Sequence, residues 1–232
     1  MKGVMSMAEL DLITIRGILR QMLLLYGICG LIVAVCMGSA VAVAPMLTVL
    51  AAMMLSFNLC AFDELNGWAR FRAAFPLGRD DIVRGRYLSI LILCLVALVA
   101  GVILAVVLQA VFCMLPGAIG ARFDQSLPIG ALIVASRMGI CVVLLLDSMM
   151  LPFVFRYGFT KATRIVPVIV ICVGVGIFAS VAGRIDWAAL ELSWIAVPSH
   201  ALLVLAAVVL LSLLIYAASS VVSCRIYRDK EL

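Results

Sequence analysis

From Leu23 to Ala61 the chain carries no charged side chain. A helix crosses the roughly 30 Å hydrocarbon core of a bilayer with about 20 apolar residues, so this run is too long for one crossing and suits two. In its middle stands MGSAVAVAP, where Gly38, Ser39 and Pro45 supply the breaks that a tight hairpin needs. Four further apolar runs follow: Leu88 to Leu115, Ile129 to Phe155, Ile165 to Gly183 and Ala201 to Val222. The pattern predicts an all-α membrane protein with six transmembrane helices in one transmembrane domain, residues 1–232. Composition agrees, with 67% hydrophobic and 12% charged residues, against about 25% charged in a soluble domain. A soluble fold of this length has too much surface for its volume to hide so much apolar area.

Lys and Arg set the orientation. Lys2, Arg16 and Arg20, then Arg70, Arg72, Arg79, Arg84 and Arg86, then Arg156, Lys161 and Arg164, then Arg225, Arg228 and Lys230 all fall on one side of a six-span thread. The other side holds only Arg122 and Arg184. Cationic loops stay in the cytosol, which predicts both termini there. This spread over short loops also argues against a nucleic-acid partner, since no single basic face is formed.

Two segments outside the spans have helical patterning. Within residues 1–22, apolar Leu12, Ile13, Ile15, Ile18 and Leu19 stand against Asp11, Arg16 and Arg20, as in a helix lying on the inner membrane surface. In residues 184–199, Trp187, Leu190, Trp194 and Val197 share one helical face, as in a short helix at the outer interface or a re-entrant element lining a pathway.

Conventional catalytic chemistry is absent from the pattern. No G-x-x-x-x-G-K-[ST] loop is present to cradle a nucleotide, and no metalloprotease or nucleophile-elbow motif is readable. His200 is the single histidine, and the eight cysteines lie almost entirely in apolar runs without metal-ligand spacing. They are expected to act as small packing residues, with no metal site and no disulfide framework. Arg137 and Asp147 are ionisable residues on the fourth predicted span. Either they line a pathway or subunit interface, or neighbouring helices satisfy them as buried polar groups.

The densest charge lies in residues 62–87, FDELNGWARFRAAFPLGRDDIVRGRY. Asp63 stands where a carboxylate favours a helix start. Leu65, Trp68, Phe71, Arg72 and Phe75 then share one side, and Pro76 ends the helical geometry. Arg79-Asp80-Asp81 opens a second helix with carboxylates in its first turn, which runs on into the third span. Such a segment suits a docking surface for a soluble partner better than a bare topology loop.

The same stretch resembles the signature of bacterial ABC type-2 transporter permeases, in the branch that includes permeases of phenol-soluble modulin exporters. The matching residues are Asp63 and Glu64, Trp68, Phe75-Pro76, Arg79, Ile82-Val83 and Arg86-Tyr87, with Phe75 for Leu and Arg86 for Lys as departures. A second similar stretch is LPFVFRYGFTKATR, through Pro152, Phe155, Arg156, Tyr157, Gly158, Lys161 and Arg164. The resemblance implies a half-transporter in the bacterial cytoplasmic membrane. A second permease chain, identical or sister, completes the pathway. Two separate ATPase subunits carry ATP and Mg, with no cofactor on this chain. It further implies that Asp63, Glu64, Trp68, Phe71, Arg72, Phe75, Pro76 and Arg79 form a coupling helix region between spans two and three. The expected cargo is amphipathic or lipophilic, such as a cytolytic or antimicrobial peptide. A non-transporting immunity or tethering protein needs the same topology without ATP dependence, and an ion-coupled transporter needs more midplane carboxylates than this chain offers.

Overall fold

The computed structural model describes residues 2–65, 78–114, 129–182 and 198–228. Six helices account for nearly all of them, and no strand occurs among the described residues. They are α1 (Lys2–Met37), α2 (Val43–Leu65), α3 (Arg79–Met114), α4 (Ile129–Tyr157), α5 (Phe159–Ala182) and α6 (Pro198–Arg228). Val43–Phe62, Arg79–Met114, Ile129–Tyr157 and Leu202–Arg228 are each long and apolar enough to span a membrane. A fifth candidate is α1, whose limbs Gly3–Leu19 and Leu24–Met37 meet at a 64° bend. The segment 184–199 of the sequence reading lies mostly outside the described residues.

The hairpin expected within the uncharged run is present. Gly38 takes a φ of +64°, a left-handed conformation that glycine adopts without steric cost, and Ser39 Oγ accepts the Val41 amide at 3.3 Å. Pro45 does not break a helix. It sits in the first turn of α2, where its missing N–H leaves nothing unsatisfied.

The bundle packs α2, α3, α4 and α6 around one core, in which Leu59, Val83, Ile90, Leu93, Val143, Leu144 and Leu151 are almost fully buried. A second, smaller cluster joins α1 and α2 to the far half of α3 through Ala34, Val43, Leu47, Ala105 and Phe112. Lipid tails are as apolar as these side chains, so association depends on close packing and on polar contacts between helices. The start of α2 passes so near α4 that a Cβ on Gly139 would lie 3.1 Å from the Pro45 carbonyl oxygen and 3.2 Å from its Cα. Because both neighbours are backbone or ring atoms, the site has little room to give. Gly139→Leu is expected to destabilise the bundle by about 1–3 kcal/mol or more, read as a lower melting temperature in detergent, with Gly139→Ala falling between.

Pro152 lies inside α4 and removes the amide that would bond the Ser148 carbonyl. Ser219 Oγ of α6 donates to that carbonyl at 2.6 Å instead. The helix break thus becomes a cross-link between α4 and α6. Tyr87 Oη extends the seam with 2.8 Å bonds to Ser219 and Ser223, and Tyr216 Oη donates to the Tyr87 carbonyl at 2.9 Å. All eight cysteines are free thiols, and Cys60, Cys94, Cys141 and Cys224 are buried as packing residues.

Candidate functional site

Three polar fastenings gather at the end of the bundle where α2 stops and α3 begins. The first is built on Glu64. The sequence pattern placed Asp63 and Glu64 at a helix start, but α2 continues to Leu65 and puts both in its last turn. From there the Glu64 carboxylate reaches the beginning of α5. Its Oε2 accepts the Thr160 amide and its Oε1 accepts the Thr160 hydroxyl, each at 2.8 Å. A carboxylate at this position satisfies an unpaired first-turn N–H and meets the positive end of the helix dipole. The elbow it grips is Gly158, whose φ of +88° turns the chain from α4 into α5. The helix register survives the turn, since Gly158 N–H donates to the Val154 carbonyl at 2.9 Å and Ala162 N–H to the Gly158 carbonyl at 3.1 Å.

The second fastening holds the start of α3. Arg228, at the end of α6, chelates the Asp80 carboxylate through Nε, at 2.8 Å to Oδ1, and through Nη2 to Oδ2. Arg79 Nη1 donates to the Arg228 carbonyl at 2.9 Å. A two-pronged guanidinium–carboxylate pair fixes direction as well as distance.

The third fastening is buried. Asp11 of α1 and Arg86 of α3 are 0% and 2% exposed, with Nη1 and Oδ2 3.4 Å apart. Ser89 Oγ donates to the same carboxylate oxygen at 2.8 Å, and Arg86 Nη1 donates to the Leu59 carbonyl of α2 at 3.1 Å. Asp11 is therefore buried between helices, although the sequence pattern grouped it with Arg16 and Arg20 on the polar side. The first limb of α1 runs parallel to the start of α3 in four-residue steps, Gly3 beside Asp81, Met7 beside Gly85 and Asp11 beside Ser89. Met7, Ala8, Asp11 and Ile15 form its buried stripe, the i, i+4 spacing of one helix face. Gly85 permits this approach, because a Cβ there would lie 2.6 Å from Met7 Cβ.

The remaining residues singled out in the sequence distribute as follows. Arg79 belongs to the second fastening. Trp68, Phe71, Arg72, Phe75 and Pro76 lie outside the described residues, as does the side chain of Asp63. Arg156 sits 5.3 Å from the Tyr157 ring centroid, and Arg156, Tyr157, Lys161 and Arg164 are exposed at the same end as Gly158. Arg137 and Asp147 do not meet. Ten residues on one helix separate them by about 15 Å along the axis and about 80° around it. Arg137 is exposed on the outside of the bundle. Asp147 is 1% exposed within it and accepts a hydrogen bond from Ser56 Oγ of α2 at 3.1 Å. Asp147 thus has a hydrogen-bond partner on a neighbouring helix of the same chain. No group of three or more potential metal ligands occurs among the described residues.

Thr160 and Ser56 were not singled out, and Asp11 and Arg228 were read only as polar-face and orientation charges. For Asp11 a signal existed, because it stands four residues from both Met7 and Ile15. For the others, nothing in a linear pattern says which helix end meets which.

The fold and its charged end define a multi-pass helical membrane protein whose polar contacts tie several helix ends to one another. The family comparison makes this specific. The model for the ABC-2 family transporter proteins matches residues 7–228, and the chain belongs to that family. It is therefore a membrane permease subunit of an ABC transporter. No curated protein and no solved structure matches.

Proposed function

We propose that this chain is the membrane half of an ATP-driven exporter in the bacterial cytoplasmic membrane, with six spans and both termini in the cytosol. It pairs with a second permease chain, and two ATPase subunits dock against residues 62–87. The observation that carries this reading is that both flanks of that segment are fastened to other helices. Glu64 holds the entering flank to α5, and Arg79 and Asp80 hold the leaving flank to α6. A force applied to the segment would reach both helices rather than dissipate in a loose loop. Orientation is supported by Arg84, Arg156, Lys161, Arg164 and Arg225, which are exposed at this same end.

The α3 helix adds a lever. Its 36 residues extend about 54 Å, well beyond the hydrocarbon thickness. The surplus projects at the charged end, where α3 begins just after the proposed docking segment in the chain. ATP-driven closure of the two ATPases would then shift the permease between cavity conformations through its unequal affinity for them. A cargo rich in apolar surface, such as an amphipathic peptide, suits spans with so few inward charges. Family membership favours transport over the tethering reading.

The test is co-purification with the cognate ATPase. Trp68→Ala and Arg72→Glu are expected to lower ATPase recovery at least tenfold while the permease remains folded. Full ATPase recovery after replacement of 63–75 by a neutral linker would refute the docking assignment.

A further inference from the structure

Arg137 is exposed on the outside of α4 and makes no hydrogen bond or ion pair among the described residues. Its exposed neighbours are apolar on both sides, Ile133 and Val134 toward the start of the helix and Met138 and Val142 beyond it. A guanidinium left among lipid chains is costly, and such a residue is retained where an anion, water or another acceptor meets it.

The face around Arg137 narrows what that group is. One, two and three turns further along the same side of α4 stand Cys141, Leu144 and Ser148, and all three are buried. Helix α6 reaches the last of them, through the bond from Ser219 to the Ser148 carbonyl. In the other direction Ile133 and Gly130 are exposed, and a Cβ on Gly130 would meet nothing within 4 Å. The face is closed toward the charged end and open toward the start of α4. Helical side chains lean toward the N-terminus of their helix, so Arg137 is directed along the open part. Its Cα lies about 12 Å from the first residue of α4. A long cationic side chain lays its stem on apolar surface while its head seeks the membrane boundary.

A path for cargo along this side is blocked by the three buried residues. A second copy of the chain brings no carboxylate from its described helices. Apart from the buried Asp147, their acidic residues, Glu9, Asp11, Asp63, Glu64, Asp80 and Asp81, all lie at the charged end. A phosphodiester from the lipid layer meets neither obstacle, and its oxygens match the guanidinium fork.

We propose that Arg137 binds the phosphate of a phospholipid in the leaflet where α4 begins, with the headgroup drawn inward over Gly130. The site requires the membrane-spanning fold and is independent of the cargo, the ATPase and the orientation of the chain.

The full chain, reconstituted in nanodiscs with a phospholipid carrying a diazirine beside its phosphate, is photolysed and its labelled residues mapped. Labelling is expected on residues 130–138 of α4. Arg137→Leu is expected to reduce it at least fivefold, and Arg137→Lys, which keeps the charge without the fork, to retain at least half. Gly130→Trp fills the open face without touching the charge and is expected to reduce labelling at least twofold. A diacylglycerol with the same diazirine but no phosphate is expected to label these residues at least fivefold less, with no response to Arg137→Leu. Unchanged labelling in Arg137→Leu, or equal labelling by the diacylglycerol, would overturn the site. Unchanged labelling in Gly130→Trp would overturn the placement over Gly130. A disulfide joining two copies through Arg137→Cys, absent from the parental chain, would mean that protein covers this face. The melting temperature of Arg137→Leu in detergent is expected to match the parental value, and a fall would assign the residue to bundle packing and overturn the proposal.

Discussion

Glu64→Ala is expected to leave the permease folded and bound to its ATPase while lowering ATP-driven transport at least tenfold in proteoliposomes. The carboxylate is exposed, so its loss removes two charge-assisted bonds without opening a core, a cost to stability of about 1–3 kcal/mol. Its position makes the functional cost larger. Among the described residues it ties the flank of the proposed docking segment to the α4–α5 elbow, so without it α5 is expected no longer to follow that flank. The side-chain series separates coupling from folding. Glu64→Gln keeps an acceptor for the Thr160 amide and is expected to retain most of the transport. Glu64→Lys places a cation at a helix N-terminus, where the dipole opposes it, and is expected to be the most severe. Thr160→Val removes only the hydroxyl bond and should resemble Gln. ATP hydrolysis continuing at its normal rate while transport falls would be the signature of uncoupling. A Glu64→Ala variant that transports normally would show that the elbow is moved by packing alone.

The helices were legible in the sequence because a bilayer imposes a length and a hydropathy on each one. The breaks at Gly38 and Gly158 lie in stretches that the sequence reading singled out, MGSAVAVAP and LPFVFRYGFTKATR. What could not be read was pairing between helix ends. Glu64 and Thr160 are separated by two further helices in the chain, and so are Asp80 and Arg228. No local periodicity encodes those meetings. The surface-helix reading of residues 1–22 failed at Asp11 for a related reason. A helical wheel separates apolar from polar residues, but an acid whose partner cation lies on another helix belongs on the inner side despite its charge. Pro152 shows the same limit: its effect on α4 follows from its ring, whereas its compensation by Ser219 follows only from the fold.

The Asp11–Arg86 pair carries the second large effect. Both side chains are almost completely buried, so removing either leaves a charge in a low-dielectric interior without its counterpart, at a cost of about 3–5 kcal/mol. Arg86→Met and Asp11→Asn are each expected to lower the melting temperature of the detergent-solubilised permease sharply and to reduce its yield. Arg86→Met also strips a donor from the Leu59 carbonyl and should be the worse of the two. The double variant Asp11→Leu, Arg86→Met exchanges the ion pair for apolar volume, and such exchanges are often neutral or stabilising. It is expected to recover most of the lost stability. That recovery would mean the pair serves the placement of the first α1 limb along α3 more than the net stability of the bundle. A protease site inserted ahead of Gly3 would then report on placement directly, since a limb released from α3 exposes it to cleavage. Cleavage that rises in the single variants and in the double variant alike would assign register to the ion pair. Cleavage that rises in the singles and returns to the parental level in the double would assign it to the Met7–Gly85 packing instead.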